Sequence, residues 1–200
     1  MTGAASPSPA PASEFRPAFA RLAENTPAWT AAVVVIAVAL IAWSAQLTIP
    51  MEPVPITLQS YAVLTVGALL GARLAFLALV AYVGLGLSGL HLFAGGRTGF
   101  EVLTGPSGGY VVGFIVAAVL VGWLQENYAR LRILPLFGAI LLGHAVIMVL
   151  GAGWLAWQKG LAFAIEKGTL PFIPGAVFKS IGVLATVIVV ERLAGTPRAR

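Results

Sequence analysis

A lysine inside an apolar segment is the residue of this sequence best suited to bind a charged group. Lys179 follows the run Leu-Pro-Phe-Ile-Pro-Gly at residues 170–175, four positions after Gly175. We expect Pro174 and Gly175 to end an extended stretch, with Lys179 in the first turn of the last helix. A buried ammonium needs a counter-charge or water, and an anionic substrate would supply it with help from the helix dipole. Snorkelling of the side chain to the membrane surface is the alternative.

Two glycine-rich stretches lie upstream of this lysine. Residues 93–100 and 105–110 together contain six glycines. Glycine permits positive φ and a close approach of the backbone to a ligand, so one interpretation is a lid whose amides bind a polar ligand. A flexible loop is the other interpretation. Tyr110 adds an aromatic face and a hydroxyl at the start of the next apolar segment, where an ordinary interfacial tyrosine is the alternative.

His144 lies midway along another apolar segment. A neutral histidine packed between helices is one interpretation, and a hydrogen bond to a ligand is the other. We expect no metal site, because His91 is the second of only two histidines and the chain has neither cysteine nor aspartate. A Ser-His-acid or paired-carboxylate set cannot be assembled, and Walker motifs are absent. The prediction is therefore no enzyme and no cofactor.

The composition places these residues in a membrane. Of the 200 residues, 59% are apolar and 10% charged, whereas soluble domains have about 45–50% and about 25%. The net charge is +5, but most cations flank apolar segments, which favours the lipid bilayer over nucleic acid. The chain is therefore predicted to be an all-α integral membrane protein.

Six apolar segments approach the length needed to cross about 30 Å of hydrocarbon. They cover residues 28–49, 56–72, 74–93, 108–125, 133–158 and 175–190. Only Arg73 separates the second from the third, so a single kinked or re-entrant unit is an alternative. We favour two spans, because a charge at mid-membrane costs roughly 2.5–3.5 kcal/mol on insertion scales. Residues 28–195 are thus predicted to form a domain of six transmembrane helices.

Charge placement predicts the orientation of these spans. With the N-terminus inside, the cytoplasmic segments hold eight basic residues, Arg16, Arg21, Arg73, Arg130, Arg132, Arg192, Arg198 and Arg200, against Arg97, Lys159 and Lys167 outside. This excess satisfies the positive-inside rule and predicts an N-in/C-in topology. Residues 1–27, rich in Ala, Pro and Ser, are predicted as a disordered cytoplasmic tail, and residues 196–200 as a short C-terminal tail. The outer connections are rich in Gly and Pro and contain apolar residues, which indicates structured extracytoplasmic loops that cap a ligand pocket.

Five motifs occur in order along the chain. They are PVPITLQ at residues 53–59, GALLG at 67–71, GLHLFAGG at 89–96, GPSGGY at 105–110 and LPFIPG at 170–175 with Lys179. Over residues 30–195 the sequence resembles the BioY family, the biotin-specific S components of energy-coupling-factor transporters. The resemblance implies six helices that hold biotin near the outer face, under the first, third and fifth loops, for import. It also implies a transmembrane coupling subunit and two ATP-hydrolysing subunits as partners in a bacterial-type plasma membrane.

The resemblance also implies ligand-binding residues. Tyr110 and Lys179 match positions that line the biotin site, and Phe93, Gly95 and Gly96 match the third-loop lid. Lys179 would pair with the valerate carboxylate or with the polar head of biotin, and the sequence leaves this choice open.

Some positions depart from the family pattern. Ala176 stands where the family has Asp, and Gly95 and His144 stand where it often has Asn. His144 is included among the ligand-binding candidates because it could compensate for the missing groups. The alternatives are an S component for another small vitamin or precursor and a ligand-free membrane scaffold. The oligomeric state, including a homo-oligomer, stays open.

Overall fold

The computed structural model describes residues 27–128 and 133–194, which form a bundle of helices. The predicted N-terminal tail, except for Pro27, and the predicted tail at residues 196–200 lie outside the described residues. So do six of the basic residues used for the orientation: Arg16, Arg21, Arg130, Arg132, Arg198 and Arg200. The N-in/C-in orientation therefore stays a prediction.

Five long helices and two short ones make up the described part of the chain. The long ones are α1 (Pro27–Gln46), α2 (Gln59–Leu87), α4 (Gly108–Tyr128), α5 (Ile133–Lys159) and α7 (Phe172–Leu193); the short ones are α3 (Glu101–Thr104) and α6 (Leu161–Gly168). Strands β1 (Thr48–Ile49) and β2 (Ile56–Thr57) pair antiparallel, and a 3-10 turn covers Ala94–Gly96. Each of the five long helices is long and apolar enough to cross a membrane.

Gly71 interrupts α2 and turns the chain back on itself. Its φ of 79° and ψ of 173° lie in a region that is essentially restricted to glycine. Gln59 near one end of α2 donates from Nε2 to the hydroxyl of Tyr82 near the other end, at 3.0 Å. A straight helix would hold residues with this sequence separation roughly 35 Å apart. Residues 59–70 and 72–87 are therefore antiparallel neighbours, and the predicted boundary at Arg73 lies beside the observed break.

Several predicted boundaries are wrong. Residues 48–49, predicted as the end of the first span, form β1 instead. The stretch before Lys179 is helical rather than extended, because α7 already begins at Phe172. Pro174 lies in its first turn, where a proline fits because those amides have no intrahelical partner. Lys179 consequently lies about two turns inside α7 rather than in its first turn.

The helices α2 and α4 form the centre of the bundle. Gly67 on α2 faces the backbone of Ala118 on α4, with no room for a side chain. The missing side chain of Gly67 thus lets the two helices approach closely. The outer helices α1, α5 and α7 expose large apolar side chains such as Val35, Val149 and Phe178. These faces suit contact with lipid, because their side chains are apolar and the backbone groups in the middle of a helix are bonded within the helix.

Candidate ligand-binding site

A cavity lies among the helix ends nearest the two strands. It contains about 690 Å³ of non-atom space, which includes open solvent at its mouth. The helices α2, α4, α5 and α7 supply its walls, and residues 54–57 and 93–107 contribute its cover. A second depression, the outer vestibule, is lined mainly by residues 48–55 and shares Pro55, Ala94 and Arg97 with the cavity.

Lys179 points from α7 towards the first loop and α2. Its Nζ donates to the backbone oxygen of Thr57 at 2.6 Å and to Oγ of Ser60 at 3.2 Å. The side chain is half-buried and lines the cavity, so it extends into the protein rather than along the lipid-facing surface. An ammonium has three donors, and these two bonds leave one for a bound anion.

Arg97 is a second cation in the cavity wall, and sequence reasoning counted it only as an outer-loop charge. Its Nε donates to the backbone oxygen of Ala94 at 3.0 Å, and its Nη2 donates to Oγ of Ser107 at 3.1 Å. These bonds hold the guanidinium where it lines both the cavity and the outer vestibule. Arg97 could have been predicted as a site residue, because it is a cation inside the glycine-rich segment for which a lid was one interpretation.

His144 lies on α5, deep in the cavity wall. The residue is 3% exposed, and its Nδ1 lies 2.9 Å from Oγ of Ser180 on α7. Nε2 is buried and has no hydrogen-bond partner among the described residues. The two interpretations of His144, a histidine packed between helices and a ligand contact, are therefore compatible. One ring nitrogen joins α5 to α7, and the other has no partner among the described residues.

Two aromatic residues predicted for the site form part of the cavity wall. The Tyr110 hydroxyl donates to the backbone oxygen of Gly168 at 2.6 Å, and its ring stacks on Phe172 with centroids 5.7 Å apart. Phe93 is 1% exposed and meets the ring of Tyr82 edge-on at 5.6 Å. Tyr110 is 5% exposed and thus buried inside the protein, and both rings give the cavity apolar surface.

Gly95 and Gly96, also predicted as ligand contacts, do not line the cavity. Both adopt positive φ, 69° and 71°, in the turn that forms the lid, which is the conformation that glycine permits without strain. The Gly96 amide donates to Oε1 of Gln46 at 2.9 Å, and Gln46 Nε2 lies 3.2 Å from the backbone oxygen of Phe93. Gly95 lines the outer vestibule. These glycines shape the lid and join it to α1.

Gln59 is a cavity-lining residue that sequence reasoning missed. It is 4% exposed and donates to the Tyr82 hydroxyl, which in turn donates to the backbone oxygen of Leu92 at 3.1 Å. This chain of bonds ties the start of α2 to the lid. Its signal was a polar Gln-Ser pair at the start of an otherwise apolar segment, inside the first motif.

The cavity as a whole suits an anion with an apolar body. It contains Arg97 and Lys179, and no described residue that lines it carries a carboxylate. Phe93, Tyr110 and Phe172 supply aromatic surface around these charges. Charge-assisted hydrogen bonds from such cations are stronger than neutral ones, so an acid could be held by one end while its apolar part fills the remaining space.

Known proteins share this fold and these motifs. A model of the BioY family matches residues 18–196. The chain belongs to the BioY family. The biotin transporter BioY2 of Lactococcus lactis subsp. cremoris is 34% identical over 160 residues, which cover 79% of this chain and 87% of that protein. The probable biotin transporter BioY of Pyrococcus horikoshii is 36% identical over 163 residues, which cover 82% and 94%.

A solved structure agrees with this membership. The crystal structure of the S-component for biotin from an ECF-type ABC transporter superposes with a TM-score of 0.77 at 28% identity, covering 84% of this chain and 93% of that one. This BioY family member is accordingly a multi-pass membrane protein with a transport fold. Four of its six predicted site residues, Phe93, Tyr110, His144 and Lys179, line one cavity.

Proposed function

We propose that this BioY family member captures biotin at the outer face of the plasma membrane and imports it as the substrate-specific subunit of an energy-coupling-factor transporter. The observation that carries the proposal is the covered cavity in which Arg97 and Lys179 face aromatic walls. Biotin has a carboxylate on an aliphatic chain and a bicyclic head with a ureido group, so its charge and apolar surface match this lining. The relatives named as biotin transporters support this choice of ligand.

The proposed role needs no catalysis by this chain. A transmembrane coupling subunit and two ATP-hydrolysing subunits would supply the energy, as the ECF-type relative with the same fold suggests. The site residues of this chain then bind and release the ligand without any covalent step.

The folding back of α2 supports six membrane passes. Although α2 is one of five long helices, its two halves run antiparallel and would cross the membrane separately. In the proposed N-in/C-in topology, the exposed Arg73 beside the break faces the cytoplasm, and the cavity faces outwards. The positive-inside distribution of the basic residues supports this orientation.

Equilibrium binding of radiolabelled biotin to the purified protein in detergent tests the ligand. We expect saturable binding of one biotin per chain, with competition by unlabelled biotin but not by a panel of other vitamins. The absence of saturable biotin binding would refute the proposal, and displacement by another vitamin would reassign the ligand. Uptake in a strain that lacks all coupling subunits tests whether the partners are required.

The topology can be tested directly, because the chain has no native cysteine. Single cysteines replace Arg73 and Ser88, both exposed, and intact cells are treated with a membrane-impermeant maleimide. Six passes with the N-terminus inside predict labelling at position 88 in intact cells and at position 73 only after permeabilisation. Equal labelling of both positions in intact cells would contradict the six-pass arrangement.

A further inference from the structure

His144 offers a buried hydrogen-bonding atom that the protein itself leaves unused. Its ring lines the cavity, the residue is 3% exposed, and Nε2 has no partner among the described residues. Buried polar atoms are nearly always paired, and an unpaired one carries an unfavourable desolvation cost. Because His144 lines the cavity, a ligand that enters the cavity is the available partner for this atom.

The neighbouring helix determines whether this atom donates or accepts. The hydroxyl of Ser180 donates to the backbone oxygen of Ala176 at 2.8 Å. A hydroxyl has a single proton, so while that proton is engaged with Ala176 the 2.9 Å contact between Ser180 Oγ and His144 Nδ1 is made by a proton on Nδ1. A neutral imidazole protonated on Nδ1 carries its free lone pair on Nε2. Nε2 is consequently an acceptor.

Acceptors are scarce in this cavity. Arg97 and Lys179 can only donate, and the described lining includes no carboxylate. At position 176, directly in the wall, there is only the methyl group of an alanine. A ligand whose N–H groups enter this region must therefore find its acceptors among neutral atoms, and Nε2 of His144 is a buried one with no competing bond among the described residues.

We propose that His144 Nε2 accepts a hydrogen bond from a ureido N–H of biotin, and that Ser180 is a positioning residue that holds the acceptor tautomer. This inference rests on the proposed function, since it assigns one end of biotin to α5. The carboxylate of the ligand then extends towards Arg97, while the remaining donor of Lys179, one residue before Ser180, is available to the ureido oxygen or to the carboxylate. His144 thereby selects ligands that carry an N–H donor at the head end.

Binding of biotin and of its two mono-N-methylated ureido isomers tests the assignment in three variants. His144→Phe keeps a ring of similar shape but removes the acceptor, and Ser180 keeps its bond to Ala176. We expect this variant to bind biotin about tenfold more weakly. His144→Gln can place its amide oxygen near the position of Nε2 and should recover part of the affinity. His91→Phe, at an exposed position outside the cavity, is the matched control and should bind as the wild type.

The methylated isomers identify the hydrogen bond itself. One isomer should bind the wild type weakly and lose nothing further in His144→Phe, because the N–H that met Nε2 is already gone. If His144→Phe binds biotin as tightly as the wild type, or weakens both isomers as much as biotin, the inference is overturned while the proposed function stands. If the wild type binds no biotin, the proposed function fails, and this assignment fails with it.

Nitrogen-15 NMR of the histidine ring in the wild type gives a measurement that requires no variant to fold. We expect the proton on Nδ1 before biotin is added, and an upfield shift of the unprotonated Nε2 resonance on saturation with biotin. Ser180→Ala should increase the population of the other tautomer. A proton on Nε2 in the ligand-free protein, or an Nε2 resonance that does not move with biotin, would overturn the proposal.

Discussion

Two buried polar regions lie at opposite ends of the bundle and differ in charge. The cavity contains Lys179 near the start of α7, whereas an inner polar region, formed by Gln125, Glu126 and Glu191, lies at the other ends of α4 and α7. There Gln125 Nε2 donates to Glu191 Oε1 at 2.9 Å, and the Ala72 amide donates to Glu126 Oε1 at 3.1 Å. Along α7, Lys179 and Glu191 are separated by roughly 18 Å.

The difference lies in what the polar groups are bonded to. In the inner polar region both carboxylates accept hydrogen bonds that join one helix to another, and Gln125 and Glu191 are 1% and 2% exposed. In the cavity, Lys179 and His144 each keep one hydrogen-bonding group without a partner among the described residues, at a place that a ligand can enter. Gln125 Oε1 in the inner polar region also has no partner among these residues, but Gln125 does not line the cavity. We infer that substitutions in the cavity mainly change ligand affinity, whereas substitutions in the inner polar region mainly change stability.

The largest expected effect is that of Lys179→Ala on biotin affinity. A hydrogen bond to a charged group contributes about 1.5–3 kcal/mol, so the dissociation constant should rise by roughly 10- to 100-fold. Lys167→Ala is the matched control, because Lys167 is largely exposed and pairs with Glu166 on α6. Radioligand binding measures both variants. An unchanged biotin affinity in Lys179→Ala would show that the ammonium binds only Thr57 and Ser60 and does not contact the ligand.

Gly71→Ala should have the opposite pattern, with a stability loss and little change in affinity. The φ and ψ of Gly71 cost other residues about 1–3 kcal/mol, and the carboxylate of Glu126 occupies the space that a β-carbon needs. Thermal unfolding in detergent should show the loss, and biotin titration of the folded fraction should not. Gly138→Ala, in a helical position with open space around it, should be neutral or slightly stabilising. A large loss of biotin affinity in Gly71→Ala would contradict the inference that substitutions near the inner polar region change mainly stability.

The sequence predicts much of the cavity because its polar residues stand out in apolar segments. Lys179, His144 and Tyr110 are polar residues within or at the start of apolar segments, and all three line the cavity. The helices carrying them were predicted from apolar length alone, with errors of a few residues at their ends. Such boundary errors arise because a short strand such as β1 and the end of a span have the same apolar composition.

The contacts that hold the lid and the break in α2 could not be predicted, because they join residues that are distant in sequence. The Gly96 amide donates to Gln46, and the carboxylate of Glu126 fills the space beside Gly71. A glycine in the sequence indicates that positive φ is allowed at that position. It does not indicate which side chain fills the space beside the glycine or accepts a hydrogen bond from its amide. The charge of Arg97 could likewise be read from the sequence. Its hydrogen bonds to Ala94 and Ser107 form only in the folded lid and could not be predicted.

A smaller effect is expected for Arg97→Gln, and it should appear in the association rate. Arg97 lines both the outer vestibule and the cavity, so its charge acts on an anion during entry as well as in the bound state. Removing it should slow biotin binding severalfold and reduce the dependence of that rate on ionic strength. Lys159→Gln, at an exposed position at the end of α5, is the control. Equal rates in Arg97→Gln and wild type would indicate that entry does not pass this residue.

The smallest expected effect is a difference in biotin affinity between two Tyr→Phe variants. Both tyrosine hydroxyls join helices, but only one of the two residues lines the cavity. The Tyr110 hydroxyl reaches Gly168 at the end of α6, while the Tyr61 hydroxyl lies 2.7 Å from Oγ1 of Thr186 on α7, outside the cavity. Each change to Phe removes one hydrogen bond, so each should lower the free energy of unfolding by about 1 kcal/mol. Only Tyr110→Phe should also weaken biotin binding, by about threefold or less, because its ring is part of the wall and loses the bond that positions it. Equal affinities in the two variants would mean that stacking on Phe172 alone holds the Tyr110 ring in place.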